Sequence, residues 1–368
     1  MPPVYAGAVA PSGPKALSLR LNFAWTSAGT VVYSACQWLT LSVLAKLGSP
    51  EMVGQYALGV AVSTPVLMLT QLNLRAVVAT DVRNGNPFHD YLSLRLLTTA
   101  AALAIIAAIL AVSGYRRDLA WIVLGVGVGQ ALDGVSDICY GWQQQHERME
   151  RIAMSMAARG VLSTVAMAAG LYLTGSLIWA VAAAAIARFS VVLGFDIRRV
   201  PANSNWRFAP SVSRQLRVLW VSLPLGIVLM LNALAAAMPR YWIERHGGLR
   251  MLGIFSAIAS LVTVGGTVIN ALGQSATPRL ARLYANNQIR DFYALLARLL
   301  GVGLGIGIAG IAAAAVVGPF VLSLAYRPEY ARHNDLLIAM MFAGAIGYLG
   351  SLLGYAITAT RTFRAQVP

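Results

Sequence analysis

The sequence predicts an all-α integral membrane protein of about ten transmembrane helices. Three observations carry this. Hydrophobic residues make up 58% of the 368-residue chain and charged residues only 11%, more oil than a soluble fold of this length buries. The oil is gathered into successive runs of about twenty residues, the length that crosses a hydrocarbon core. Almost nothing of soluble-domain size lies between the runs. In a bilayer only internally hydrogen-bonded helices or closed barrels satisfy the backbone, and runs this long and continuous are helices.

The elements follow in order. Residues 1–20 form a Pro/Gly/Ala-rich tail with no charge-then-apolar-then-cleavage pattern, so they read as a cytoplasmic tail and not as a removed signal. The first span, 22–45, ends at Gly48-Ser49-Pro50, and the second covers 52–75. Asn84-Gly85-Asn86-Pro87 precedes the third, 94–113, and Arg116-Arg117-Asp118 the fourth, 119–142. The fifth and sixth cover 152–174 and 177–197, completing an N-lobe of residues 21–200. A cytoplasmic linker, 201–215, follows. The remaining spans, 216–239, 249–272, 294–317 and 335–358, fill a C-lobe of 216–368, with Tyr326-Arg327-Pro328 before the last.

Charge sets the orientation. The chain has 28 Lys and Arg against 13 Asp and Glu, and the only lysines are Lys15 and Lys46. The loops on one side, including Arg75, Arg83, Arg95, Arg148 and Arg198 to Arg217, hold 18 of these cations, and the opposite loops hold 8. The positive-inside rule places both termini in the cytoplasm. These arginines border apolar helices and form no soluble face, so they indicate anionic lipid headgroups and no nucleic-acid partner. Cys36 and Cys139 lie within spans and lack metal-ligand spacing.

An internal repeat is visible. Met52-Val53-Gly54-Gln55-Tyr56 opens the second span, and Met251-Leu252-Gly253-Ile254-Phe255 opens the eighth, 199 residues later and in the same orientation. The same offset pairs Gln71 with Asn270, Arg75 with Gln274 and Arg83 with Arg282. Two pseudo-symmetric lobes, six spans and an incomplete four, would then be related by an axis along the membrane normal.

The stretches Asn22-Phe23-Ala24-Trp25, Gln37-Trp38, Leu44-Ala45-Lys46-Leu47-Gly48 and Val53-Gly54-Gln55-Tyr56-Ala57-Leu58 resemble bacterial polysaccharide flippases. So does Gln143-Gln144-Gln145-His146-Glu147-Arg148-Met149-Glu150-Arg151-Ile152-Ala153. These are the O-antigen and capsule translocases of the multidrug/oligosaccharidyl-lipid/polysaccharide exporter superfamily. The resemblance implies two six-helix lobes facing a central cavity, with two further helices expected after the basic segment Ala359 to Gln366. It implies transport of an undecaprenyl-diphosphate-linked oligosaccharide across the bacterial inner membrane, with no cofactor. A polysaccharide polymerase and a chain-length regulator are the partner proteins it suggests. Such a substrate needs an apolar slit, sugar-binding polar groups and cations for diphosphate, a task suited to the arginine fork.

Polar residues within the spans are the site candidates. Arg159 and Arg188 lie inside spans five and six, where an unpartnered arginine costs about 2.5–3.5 kcal/mol on insertion scales. Gln130, Asp133 and Asp137 form one stripe of span four, with Asp137 expected at the depth of Arg159 and Asp133 nearer that of Arg188. Two readings stand side by side: a static ion-pair cluster fastening spans four to six, or a charged cavity wall that binds phosphate or takes up protons. Gln71 and Arg75 are expected to share a helix face, Arg75 serving as diphosphate contact or as an interfacial snorkel. Asn232, Asn270 and Gln274 are candidates for sugar hydroxyls or for interhelical hydrogen bonds. Pro65, Pro224 and Gly265-Gly266 are candidate bend points.

No reactive cluster is visible. The four histidines are scattered, there is no His-Glu-x-x-His, Gly-x-Ser-x-Gly or nucleotide-binding Gly-x-x-x-x-Gly-Lys pattern, and the periplasmic loops are short. The expected activity is therefore transport without covalent chemistry. The alternatives are a multidrug or metabolite cation antiporter of the same superfamily, which would need a net acidic cavity, and a membrane-embedded polymerase or ligase.

Overall fold

The computed structural model describes residues 19–81, 87–200 and 211–360, apart from the side chains of Leu19, Arg20 and Phe23. Expectations placed on the N-terminal tail, Arg83, most of the linker and the segment after Thr360 lie outside the described residues. The described residues are helical: α1 (Leu19–Leu47), α2 (Pro50–Gln71), α3 (Leu74–Thr80), α4 (Phe88–Val112), α5 (Arg117–Gln145), α6 (Met149–Thr174), α7 (Leu177–Val191), α8 (Val212–Ala285), α9 (Ile289–Ala325), α10 (Pro328–Ala331) and α11 (Asn334–Thr360). Among them, nine helical stretches are long and apolar enough to cross a membrane.

The tenth span emerges from a break. At ~1.5 Å per residue α8 would run to about 110 Å, several bilayer thicknesses. Gly248 in its middle has φ 72° and ψ −179°, a backbone conformation essentially restricted to glycine. It divides α8 into two arms, the expected spans seven and eight. The helix continues through Arg240 and Arg245 up to this corner, where sequence placed a loop. The backbone stays helical through Pro65, Pro224 and Gly265-Gly266, while positive-φ breaks fall at Leu72, Asn73 and Gly248.

A second break corrects span two. Leu72 and Asn73 both adopt the left-handed region (φ 52° and 48°), a conformation asparagine tolerates better than most residues. Gln71 and Arg75 therefore sit on two helices, not on one shared face. The turn aims α3 at α5, where Gly141 lets the backbone approach: a Cβ there would stand 2.9 Å from the Arg75 carbonyl.

The repeat is realised as reciprocal packing. A Cβ on Gly54 would collide with the Leu249 carbonyl, and a Cβ on Gly253 with the Pro50 carbonyl. Residues 50 and 249, like 54 and 253, are one repeat apart, so the halves meet at equivalent places, as a two-fold axis requires. The entry to α2 is prepared locally, with Pro50 in the first turn and Ser49 accepting from the Met52 amide at 3.3 Å. On the axis Arg250 forks between Glu51 (3.2 Å) and Glu329 (2.9 Å).

The buried apolar side chains show which end is closed. One continuous core joins Leu44, Val53 and Tyr56 of the first half to Ile254, Ala257, Leu322 and Tyr330 of the second. Trp38 donates to the Tyr326 hydroxyl at 3.2 Å, Tyr326 to the Ala257 carbonyl at 2.8 Å, and Ser42 to the Ala325 carbonyl. At the opposite end the cores separate, into one around Leu74, Tyr91 and Ile138 and another around Leu280 and Phe292. Among the described residues the first arm of α8 bridges there: Arg214 meets Asp90 at 2.6 Å, Gln215 donates to Ser93 at 2.5 Å, and Gly226 packs on the Leu69 carbonyl. The lobes, among the described residues, are thus sealed at the end with few cationic loop residues and parted at the arginine-rich end.

Candidate functional site

Four helices of the first half place a charged network at the parted end. Asp133 of α5 stands at its centre. Its carboxylate lies 3.4 Å from Arg159 Nε on α6 and 3.8 Å from Arg188 Nη1 on α7, and it accepts from the Tyr33 hydroxyl of α1 at 3.3 Å. The Arg159 contact is an ion pair without hydrogen-bond alignment, since neither Nε nor Oδ1 has a hydrogen-bond partner. The Arg159 guanidinium is held between two aromatic faces, Tyr33 at 5.0 Å and Tyr140 at 5.4 Å, a placement that replaces lost hydration with ring electrons. Gly129 makes room for Arg188; a Cβ there would lie 2.5 Å from Nη1.

Arg75 forms a second, shallower pair. Its Nη1 meets Asp137 at 3.1 Å, its Nε donates to Gln144 at 3.2 Å, and it lies 5.7 Å from the Tyr140 ring. Tyr140 thereby joins the two pairs. Its hydroxyl shares a 2.7 Å hydrogen bond with Ser155, which donates to Asp196 at 2.6 Å; Ser136 reaches the other Asp196 oxygen at the same distance. A π-helical turn, Val192–Asp196, brings Asp196 there, the kind of local bulge that recurs at functional positions.

Asp133 meets Arg188, as the expected depths have it, but it also takes Arg159, while Asp137, expected at the depth of Arg159, pairs with Arg75. Arg159 and Arg188 are sealed, their side chains 6% and 10% exposed, whereas Arg75 and Asp137 are each about a third exposed (34% and 31%). Of the three arginines, only Arg75 is open to an incoming group. Gln71 lies beside Gly134, and Gln130 faces Thr64 at 3.3 Å. Asn270 and Gln274 are exposed on the second arm of α8 and take no part in the network.

Sequence reasoning missed Tyr33, Tyr140 and Asp196 as members. The signal for Asp196 was present, a carboxylate within span six; the tyrosines gave none. Arg95 is a plainer miss. Counted among loop cations, it lies two turns into α4 and is completely buried, with Nε, Nη1 and Nη2 all lacking partners.

Comparison with known proteins identifies the lineage. Residues 19–284 match the polysaccharide biosynthesis protein family. The chain belongs to that family. A relative, the capsular polysaccharide biosynthesis protein CapF of Staphylococcus aureus, is 25% identical over 348 residues, covering 94% of this chain and 87% of CapF. The fold of this polysaccharide biosynthesis protein is that of solved multidrug resistance MATE transporters of the MOP superfamily. The inward-facing form is 15% identical with a TM-score of 0.58, over 94% of this chain and 82% of that one. The outward-facing form gives the same identity and TM-score over 93% and 80%. A MOP superfamily transporter from Pyrococcus furiosus, reported with a binding pocket of reverse polarity, is 16% identical with a TM-score of 0.54 over 93% and 84%. Family and fold together point to a multi-pass membrane transporter.

Proposed function

We propose that this protein flips an oligosaccharide carried on undecaprenyl diphosphate across the bacterial inner membrane, by alternating access, with both termini cytoplasmic. Arg75 carries the proposal. It is the exposed cation of an otherwise sealed network at the parted, arginine-rich end, and its Nη2 is free of hydrogen bonds. A diphosphate entering from that end meets a planar fork already oriented by Gln144 and the Tyr140 face, the geometry that favours bidentate phosphate contact. The network sets three arginines, Arg75, Arg159 and Arg188, against three carboxylates, Asp133, Asp137 and the more deeply placed Asp196. An organic-cation exporter would call for an acidic excess. The sealed lower-cation end, with Gly54 on Gly253 and Arg250 on Glu51, supports an inward-open state awaiting substrate.

The test is reconstitution. Purified protein in vesicles receives undecaprenyl-diphosphate oligosaccharide fluorescently labelled on the sugar, and an external quencher reads how much label crosses. Protein-dependent loss of the protected fraction is expected, slowed about tenfold or more by Arg75→Gln. A protected fraction indifferent to the protein overturns the reading.

A further inference from the structure

We propose that Arg95 is the second partner of Asp137, taking over its carboxylate when a diphosphate occupies Arg75. The inference rests on the diphosphate reading above and names a residue that reading leaves out. Arg95 is fully buried on α4, and all three of its guanidinium nitrogens lack a hydrogen-bond partner. A buried cation in that condition is uncompensated, and a stable arrangement supplies it with an anion for at least part of the working cycle. Leu94 and Ile138, the chain neighbours of Arg95 and Asp137, pack in one buried cluster, and Asp137 is the carboxylate whose charge bears most on Arg95. In the present state it makes no ion pair with Arg95, being held instead by Arg75 at 3.1 Å.

That holding pair is the exposed one. An anion binding Arg75 competes directly with Asp137 for the same fork, and a displaced Asp137 would be left without a counter-charge within the membrane. Arg95 removes that penalty. No hydrogen bond anchors its head group, so turning toward α5 once Asp137 lets go of Arg75 breaks none. Substrate arrival would thereby transfer one carboxylate from α3 to α4 and rearrange two helices of the first lobe. Arg75 is then the substrate contact and Arg95 a positioning residue acting through Asp137.

A double-mutant cycle on ligand affinity tests this. The probe is geranylgeranyl diphosphate, titrated into the full chain in nanodiscs, with geranylgeraniol as the uncharged control. Arg95→Met should weaken diphosphate binding about tenfold, because displaced Asp137 has no partner. Asp137→Asn should bind at least as tightly as the parent, Arg75 being free. In the Asp137→Asn background, Arg95→Met should then have no further effect, which a purely structural role for Arg95 does not predict. Equal weakening in both backgrounds, or in neither, overturns the relay. Should Arg95→Met fail to accumulate, Arg95→Lys enters the same cycle, with a loss of about threefold that again vanishes with Asp137→Asn. If the parent protein does not prefer the diphosphate over the alcohol, the diphosphate reading itself fails, an outcome distinct from additivity in the cycle.

Discussion

Asp133→Asn separates the fastening charges from the working one. Asparagine keeps the shape of the side chain and can still accept from Tyr33, but it leaves Arg159 and Arg188 facing each other with no carboxylate between them. Removing one partner of a buried pair costs about 3–5 kcal/mol. The long contacts of 3.4 and 3.8 Å and the 20% exposure of Asp133 place this case near the lower end, about 3 kcal/mol. With an unfolding entropy of ~2.1 cal/mol/K per residue, that corresponds to a melting point lower by about 4 °C if the chain melts as a unit, or about 8 °C if the first lobe melts alone. Arg75→Gln breaks a pair a third exposed on both sides, worth about 1 kcal/mol or less after screening, so its melting point should move by no more than ~3 °C. Thermal melts followed by size-exclusion chromatography, beside vesicle flipping of the same preparations, give both numbers. The expected pattern is reciprocal: Asp133→Asn loses stability, Arg75→Gln loses transport. An unchanged melting point for Asp133→Asn with transport abolished would refute the fastening role and make the deep cluster part of the substrate path.

Arg188→Ala should lower protein level and export together, because Arg188 is buried against Asp133 and not open to ligand; immunoblots beside surface-glycan assays read this. Gly253→Val should hold the lobes apart on the Pro50 side, so that in a background lacking Cys36 and Cys139, Ser42→Cys gains labelling by a membrane-impermeant maleimide added outside. Tyr330 is fully buried with its hydroxyl unpartnered, and burial pushes that hydroxyl above its ordinary 10.0. The neutral form is favoured in the fold, so stability is undiminished below pH 10 and falls as pH rises beyond it; Tyr330→Phe should melt like the parent at pH 7 and higher than the parent at pH 11.

Much of the fold was legible because the bilayer enforces it. Ten apolar runs and the 199-residue repeat both reflect one-dimensional constraints, namely length and periodicity. The charged stripe Gln130-Asp133-Asp137 was legible for the same reason. Which arginine meets which aspartate was not, since it depends on helix rotation and on local departures such as the Leu72–Asn73 turn and the π turn before Asp196. Arg95 shows the limit most clearly. Near the predicted edge of a span, an arginine that snorkels to lipid and one that turns inward have the same sequence signature. Only the extension of α4 back to Phe88 buries it.

The Glu51–Arg250 contact has a consequence for assembly. Positions 51 and 250 occupy corresponding sites in the two halves, one acidic and one basic. A half that docked with a copy of itself would set carboxylate against carboxylate, or guanidinium against guanidinium, at the same spot. The glycines beside them tolerate either arrangement, but the charges accept only the mixed one. Each lobe is thus addressed to its own covalent neighbour, which discourages exchange of halves between chains crowded in one membrane.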